Sequence, residues 1–502
     1  MILSYILHGN VPCYDLSSPH PDVLLDAKIR NLSNLLDLDV PSLTNHFGAS
    51  RFPYSTQALP LNVLLDTLLR PSGETDESST ETCVFWRHVP SLAIPHLVLG
   101  GTRSTGGQWV ENPVDPSGEI GTLSYANMLS LPGYSFAQHY WKVYGKPLPP
   151  YMRPPRKAVT AYFAAYPFQI GIQDSVFSNQ TVSNITRCAE GGFVIRPQGV
   201  KCKHLVLATG IFSELVSPPP LLKPLLTLRE SISTSKCCRQ RRPILHAPLL
   251  VIGSGFSAAD VILSQPPGQP ILHIYKWFPS TSPSPLRACH AQAYPEYASI
   301  YRRMKLAAHV LECPAQHVNG TTRPARVRRA LSRTIEAAAL VANYEGMPNT
   351  VITSVSLHPS NSSATITLSC SHSGLHTTIT REVAGLAYVA GRRGSLSYLS
   401  SSLRAEIARA ANADPDSLTT ISSLTLRDCV QEDIEIAPDV FVIGSLTGDS
   451  LIRFAYGSCV KAAGRIMGMA ASDQQTSATT PKALNPAILE KTMGGLDGHN
   501  GY

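Results

Sequence analysis

One stretch limits what this chain can become: Pro248-Leu249-Leu250-Val251-Ile252-Gly253-Ser254-Gly255-Phe256-Ser257-Ala258-Ala259-Asp260-Val261-Ile262-Leu263. A short apolar run ends in Gly-x-Gly-x-x-Ala and passes straight into a helical pattern, the strand–turn–helix context in which such glycines mean dinucleotide binding. Gly253 lets the backbone turn sharply off the strand. Gly255 lets the backbone approach a diphosphate, and Ala258 is small enough for helix and strand to pack closely. Ser254, Phe256 and Ser257 complete the loop. The first-turn N–H groups of the helix lack intrahelical partners, so they and the helix dipole favour an anion there. An ordinary tight strand–helix turn carries the same glycines, so the flanks decide. After the Pro-rich break at 266–270 comes a second strand pattern, Ile271-Leu272-His273-Ile274-Tyr275, ending at Lys276. That is roughly the ~20-residue offset at which such folds read the adenosine ribose. An acid there would favour NAD through the 2′-hydroxyl; the ammonium of Lys276 favours a 2′-phosphate, hence NADPH.

At 502 residues the chain is long enough for two or three domains with substantial cores. A net charge of +7 over that length, with no dense basic patch interleaved with aromatics, argues against nucleic-acid binding. Arg326, Arg328, Arg329 and Arg333 fall in one helical pattern whose plainest reading is a solvated face. The 11 cysteines show no metal-ligand spacing, and the vicinal Cys237-Cys238 reads as a loop. The stretch Met1 to Leu7 is too short and lacks the basic flank of a signal peptide. No apolar run reaches the ~18–20 residues of a membrane span. These features predict a reduced, intracellular, cytoplasmic protein without a metal.

Along the chain, Met1 to Leu7 reads as a short apolar helix stopped by Gly9, and 61–69 as a helix in an otherwise loop-rich region. Residues 73–83 form a polar, acidic linker. Residues 94–100 read as a buried strand, followed by Gly106-Gly107-Gln108-Trp109, where adjacent glycines before an aromatic suit close approach to a flat ligand. A Pro-rich connector at 147–156 precedes a helix over 159–165. Strand patterns follow at 176–185 and 192–196, then the buried strand 204–210 ending in Ala208-Thr209-Gly210. The Pro-rich 217–224 marks a domain crossing. Strands are also expected at 351–357, 364–369 and 385–391. Last come the strand 440–444, the turn through Gly448-Asp449, a helix over 451–469 and a low-complexity tail from about 471 expected to be disordered.

Taken in order, Gly106-Gly107-x-Trp109, Ala208-Thr209-Gly210, the Gly253 fingerprint and Gly448-Asp449 resemble flavin-containing monooxygenase-like proteins. The finer resemblance is to the oxidative-stress-induced growth inhibitor family. It rests on 94–99 with Gly106-Gly107-Gln108-Trp109, Leu131-Pro132-Gly133, Val251-Ile252-Gly253-Ser254-Gly255 with Ala258-Ala259-Asp260, Tyr294-Pro295-Glu296-Tyr297, and Gly448-Asp449-Ser450-Leu451-Ile452-Arg453-Phe454. The resemblance implies an α/β fold of two Rossmann-like domains, an NADP-binding domain at 217–391 inserted in a discontinuous FAD-binding-like domain at 1–216 and 392–470. It implies FAD and NADPH as cofactors, with molecular oxygen and a small organic molecule as substrates. Gly106, Gly107, Gln108 and Trp109 would lie beside FAD, with Thr209 and Gly210 near the nucleotide. Gly448 and Asp449 would approach the ribityl or diphosphate portion, and the N-terminus of the final helix would face the flavin. Thr122 stands where such enzymes place an Asn that steadies the flavin peroxide, with Asn127 nearby; both are candidate catalytic residues. Three departures stand out. The leading strand and Gly-x-Gly-x-x-Gly loop of the family are missing, and Met1 falls where the helix after that loop would be under way. Leu99-Gly100 replaces the acid that reads the FAD ribose, and Thr122 is a poorer donor than Asn. A non-catalytic regulatory protein that keeps the flavoprotein fold is therefore the alternative expectation.

Overall fold

The computed structural model describes residues 1–112, 120–228, 231, 247–312, 343–359, 362–372 and 375–477. The expected arginine helix near 323–333 and the Cys237-Cys238 pair lie outside them.

The fingerprint strand Leu249–Ile252 is central in a four-stranded sheet ordered Tyr344–Pro348, Ile271–Tyr275, Leu249–Ile252, Gly385–Tyr388. All three pairings are parallel, with Leu249 opposite both Ile271 and Gly385. Near-continuous apolar strands suit a parallel sheet, because both faces are covered. The period of two divides them cleanly. Leu249, Val251, Ile271 and Ala387 pack with Ala258 and Val261 of the helix Phe256–Leu263 and with Ile300 and Met304 of the helix Pro295–Glu312. Leu250, Leu272 and Leu386 face the opposite way, onto Leu222, Leu225 and Leu228 and onto Ile366 and Leu368 of an antiparallel sheet. That sheet runs Val351–Leu357, Ala364–His372, Leu375–Val383, so a third, more polar strand joins the two expected.

A second and larger core draws on both ends of the chain. The helices Ile2–Leu7, Pro60–Leu69 and Tyr456–Ser477 meet there with Leu205, Leu207, Val440 and Val442. Leu205–Leu207 and Val440–Val442 pair in parallel. A second parallel pair joins Val98–Leu99 to Val176–Phe177. Among the described residues these remain separate short pieces, and the continuous parallel sheet occurs once.

Several expectations need correction, among them the strand over 176–185, which is only Val176–Phe177 followed after a loop by Asn184–Arg187. The stretch 94–100 is not a buried strand. Only Val98–Leu99 are extended as a ladder and both stay partly exposed. Pro95 lacks a ladder donor, and His96 bonds to Ser4 at 2.8 Å and to the Ile94 carbonyl at 2.7 Å. The final helix begins at Tyr456 after a 3₁₀ turn at Ile452–Ala455, not at 451. It runs to Ser477, past the expected start of the tail; residues 478–502 are outside the described set. The helix expected over 159–165 spans Arg156–Gln169. Among the described residues no helix is long and apolar enough to cross a membrane, and no group of three His, Cys, Asp or Glu could hold a metal.

Candidate functional site

The C-terminal ends of the parallel strands open onto a cleft of about 1130 Å³. Gly253 to Ser257 and Lys276 line it together with Gln108, Trp109, Thr122 and Ser450 to Ile452. A topological end of a parallel sheet is where ligands of such folds bind.

The two fingerprint glycines are glycine for different reasons. Gly253 has φ +151°, and a Cβ there would meet the Val389 carbonyl oxygen at 2.5 Å. The turn off the strand admits nothing larger. Gly255 is extended, with φ −108°, and a Cβ there would meet only Pro285 Cγ, at 3.8 Å. Nothing in the protein demands a glycine at 255. The bare backbone faces open space at the start of Phe256–Leu263, where Ala258 and Ala259 already donate to the Gly255 carbonyl and the Phe256 and Ser257 amides remain to take an anion. A purely structural turn would require glycine at Gly253 and not at Gly255. Ala258 sits just behind, buried between helix and strand as expected.

The corner is held from beneath by a residue that sequence reasoning passed over. His273 is fully buried in Ile271–Tyr275. Its Nε2 lies 2.6 Å from the Gly253 carbonyl and its Nδ1 lies 2.7 Å from the Tyr344 hydroxyl. A carbonyl only accepts, so Nε2–H donates to Gly253, and Nδ1 accepts from Tyr344. Burial pushes the imidazole down to about 4. As pH falls from the unfolded value near 6.5 toward 4, the unfolded chain takes up a proton that the folded chain refuses, so stability is lost in that window. The expected cost is roughly 3 kcal/mol by pH 4. His273→Phe should flatten that part of a denaturant-midpoint profile against pH; an unchanged profile would show that the ring titrates normally. His20, also lowered to about 4, would keep its own share.

The motif Tyr294-Pro295-Glu296-Tyr297 ties the helix Pro295–Glu312 to the cleft-lining segment 121–123 and to the fingerprint helix. Tyr294 Oη donates to the Leu123 carbonyl at 2.9 Å, and Glu296 pairs with Arg153 at 2.6 Å. Arg153 also donates to the carbonyls of Gly121 and Thr122 and stacks over the Tyr294 ring, 4.3 Å from its centroid. Tyr297 donates to Asp260 at 2.9 Å. Burial raises the Asp260 carboxyl to about 6, with the Tyr297 hydrogen bond opposing it. A carboxyl poised there within a cleft is a candidate for handling a proton. The sequence shows Asp260 beside the fingerprint, but only packing reveals its burial.

Several expected residues are not brought to the cleft wall. Gly106 packs toward Val110 and Phe163, and a Cβ on Gly210 would meet Ser445 Oγ at 2.8 Å. Gly107 turns with φ +54° beside open space and is not itself among the residues lining the cleft, although Gln108 and Trp109 after it are. Thr209 bonds to the Tyr398 hydroxyl at 3.1 Å. Asn127 lines a separate cavity and donates to the Ser78 carbonyl at 2.9 Å. Thr122 does line the cleft, but its hydroxyl donates to the Ser124 carbonyl at 2.8 Å, so that proton is committed.

Asp449 lies behind the cleft wall. Its side chain is fully buried and accepts from the Leu59 amide at 2.9 Å, Asn62 Nδ2 at 2.7 Å and Arg427 at 2.8 Å. Gly448 is needed for its φ of +94° and because a Cβ would meet the Ser423 carbonyl oxygen at 2.5 Å. Nor does the final helix aim its first turn at the cleft. The Ser458 amide is capped by Asn62 Oδ1 at 2.9 Å, and a Cβ on Gly457 would strike the Leu61 carbonyl, so that end presses against Pro60–Leu69.

No protein-family model matches the chain. A Caenorhabditis elegans protein named as an oxidative stress induced growth inhibitor homolog is 24% identical over 527 residues, covering 95% of this chain and 94% of its own length. Human oxidative stress-induced growth inhibitor 1 is 25% identical over 333 residues, 60% of this chain and 66% of that protein. Among solved structures, a flavin-containing monooxygenase from Stenotrophomonas maltophilia aligns over 82% of this chain and 96% of its own, at 14% identity and a TM-score of 0.41. An ornithine hydroxylase from Pseudomonas aeruginosa aligns over 82% and 97%, at 14% identity and a TM-score of 0.42. The chain thus resembles growth inhibitor proteins by sequence, and flavin monooxygenases are among its structural neighbours.

Proposed function

We propose that this chain is an NADPH-dependent oxidoreductase of the flavin-monooxygenase type, acting on a small organic substrate with molecular oxygen. One observation carries the reading: the backbone at Gly255 is bare toward open space although nothing in the protein requires a glycine there. A diphosphate against the Ser254 to Ser257 amides would use that space, and Lys276, exposed at the end of the next strand, would meet a 2′-phosphate. The residues present fit NADPH. They fit FAD less fully. Gln108, Trp109 and Ser450 to Ile452 leave room across the cleft for a second flat ring system, while Asp449 and the amide end of the final helix are already engaged within the protein. Bound flavin would supply electron transfer and oxygen chemistry; the chain's own groups would orient it and exclude water. In this reading 217–391 binds NADPH as a domain inserted in an FAD-binding-like remainder.

The test is to purify the protein, look for flavin absorbance with and without added FAD, and add NADPH without oxygen. Bleaching of a bound flavin is the expected result. A protein that binds NADPH but takes up no FAD would instead support a regulatory nucleotide-binding protein, a reading favoured by the closed surroundings of Asp449. Lys276→Asp should weaken NADPH binding by about tenfold or more and leave NADH nearly untouched. Since Lys276 is exposed, the fold should not change. Equal losses for both nucleotides in titrations would mean that another group reads the 2′-phosphate.

A further inference from the structure

Away from the cleft, a second cavity of about 580 Å³ opens beside the acidic segment at 73–83. Tyr125, Trp141 and Tyr151 line it together with Glu77 and Asn127. The rings of Tyr125 and Tyr151 meet edge to face, 6.0 Å apart at 78°, and so form an aromatic corner. Trp141 and Tyr151 are each 58% exposed, an unusual outlay of aromatic surface. Tyr151 also holds a left-handed backbone, φ +53°, which a bulky residue rarely adopts.

Among the described residues lining this cavity, Glu77 is the one charged side chain. Among the described residues no side chain lining it is cationic, and Glu77 has neither an ion-pair nor a hydrogen-bond partner. Burial raises its carboxyl, with the charge of Arg453 opposing and Glu74 adding to the rise. Arg453 is already tied to Asp66 and Glu74, and Arg153 to Glu296. A second carboxylate, Asp76, accepts from the Tyr151 hydroxyl at 3.2 Å. It is held low by bonds from the Ser78 hydroxyl and amide. Ring faces are negative and attract a cation most strongly where water is excluded.

We infer that this cavity is a binding site for a small organic cation, an alkylated ammonium seated between Tyr125, Trp141 and Tyr151 with Glu77 as its counter-charge. The aromatic corner supplies the face-on attraction, and the unpartnered carboxylate supplies the sign. A neutral ligand of the same shape would leave Glu77 as it is and lose both effects. Asn127 holds the floor by its bond to Ser78, next to Glu77 in the chain.

The full chain is titrated calorimetrically with choline and, separately, with 3,3-dimethyl-1-butanol, its uncharged carbon isostere. Choline should saturate, and the isostere should bind at least about tenfold more weakly. Glu77→Gln should bring choline down by about tenfold, and Trp141→Ala, at an exposed position, should weaken it as well. NADPH titrations should be unchanged in both variants, which separates this site from the cleft. Equal binding of choline and its isostere, no saturation by choline, or choline affinity indifferent to both substitutions would overturn the inference. The comparison of the two ligands on the unaltered protein decides the matter even if a variant fails to fold.

Discussion

Gly255→Asp is expected to reduce NADPH binding by at least about a hundredfold while the protein melts as before. The added Cβ meets only Pro285 Cγ at 3.8 Å, and φ of −108° is ordinary for any residue. The carboxylate would project into the space in which the proposed reading places a diphosphate, beside the Phe256 and Ser257 amides, and like charges set against each other cost several kcal/mol. Gly255→Ala is the milder companion, with stability little changed. Nucleotide titration and thermal melts on the same samples separate the two effects. Full NADPH affinity in the Asp variant would reduce the glycine corner to a structural turn, and the proposed function would fall with it.

The second large effect concerns stability. Asp449→Ala should cost about 3–5 kcal/mol, because it leaves Arg427 without its charge partner and two buried donors, the Leu59 amide and Asn62 Nδ2, without an acceptor. Asp449→Asn should cost less, since an amide oxygen can still accept from both the Leu59 amide and Asn62 Nδ2, which now share one carboxylate oxygen, and only the Arg427 pair is lost. Denaturant midpoints measure the loss, and NADPH affinity measured well below the midpoint should hold. A variant of native stability with impaired cofactor binding would return Asp449 to the role its family resemblance implies.

These two residues mark how far the sequence could be read. The fingerprint strand, its glycine corner, the following helix and Lys276 are all local features. Each follows from hydrophobic periodicity, the freedom of glycine at φ +151°, and the distance along one strand–helix–strand unit. The helix Pro60–Leu69 and the strands at 271–275 and 385–388 were legible in the same way. The stretch 94–100 misled because an apolar run does not say whether a neighbouring strand will cover it, and His96 found other partners.

What tertiary structure decided is where a polar side chain spends its hydrogen bonds. Asp449 and Asn62 are 387 positions apart, and Asp260 owes its raised pKa to burial beside Tyr297, on another helix. Asn127 and Thr122 are five residues apart in sequence yet line different cavities. Glycine need, strand period and helix start are short-range properties, fixed by backbone sterics and solvent and so written in adjacent residues. Carboxylate partners and the faces of a cavity depend on desolvation by groups from distant segments, and that becomes defined only once the chain has packed.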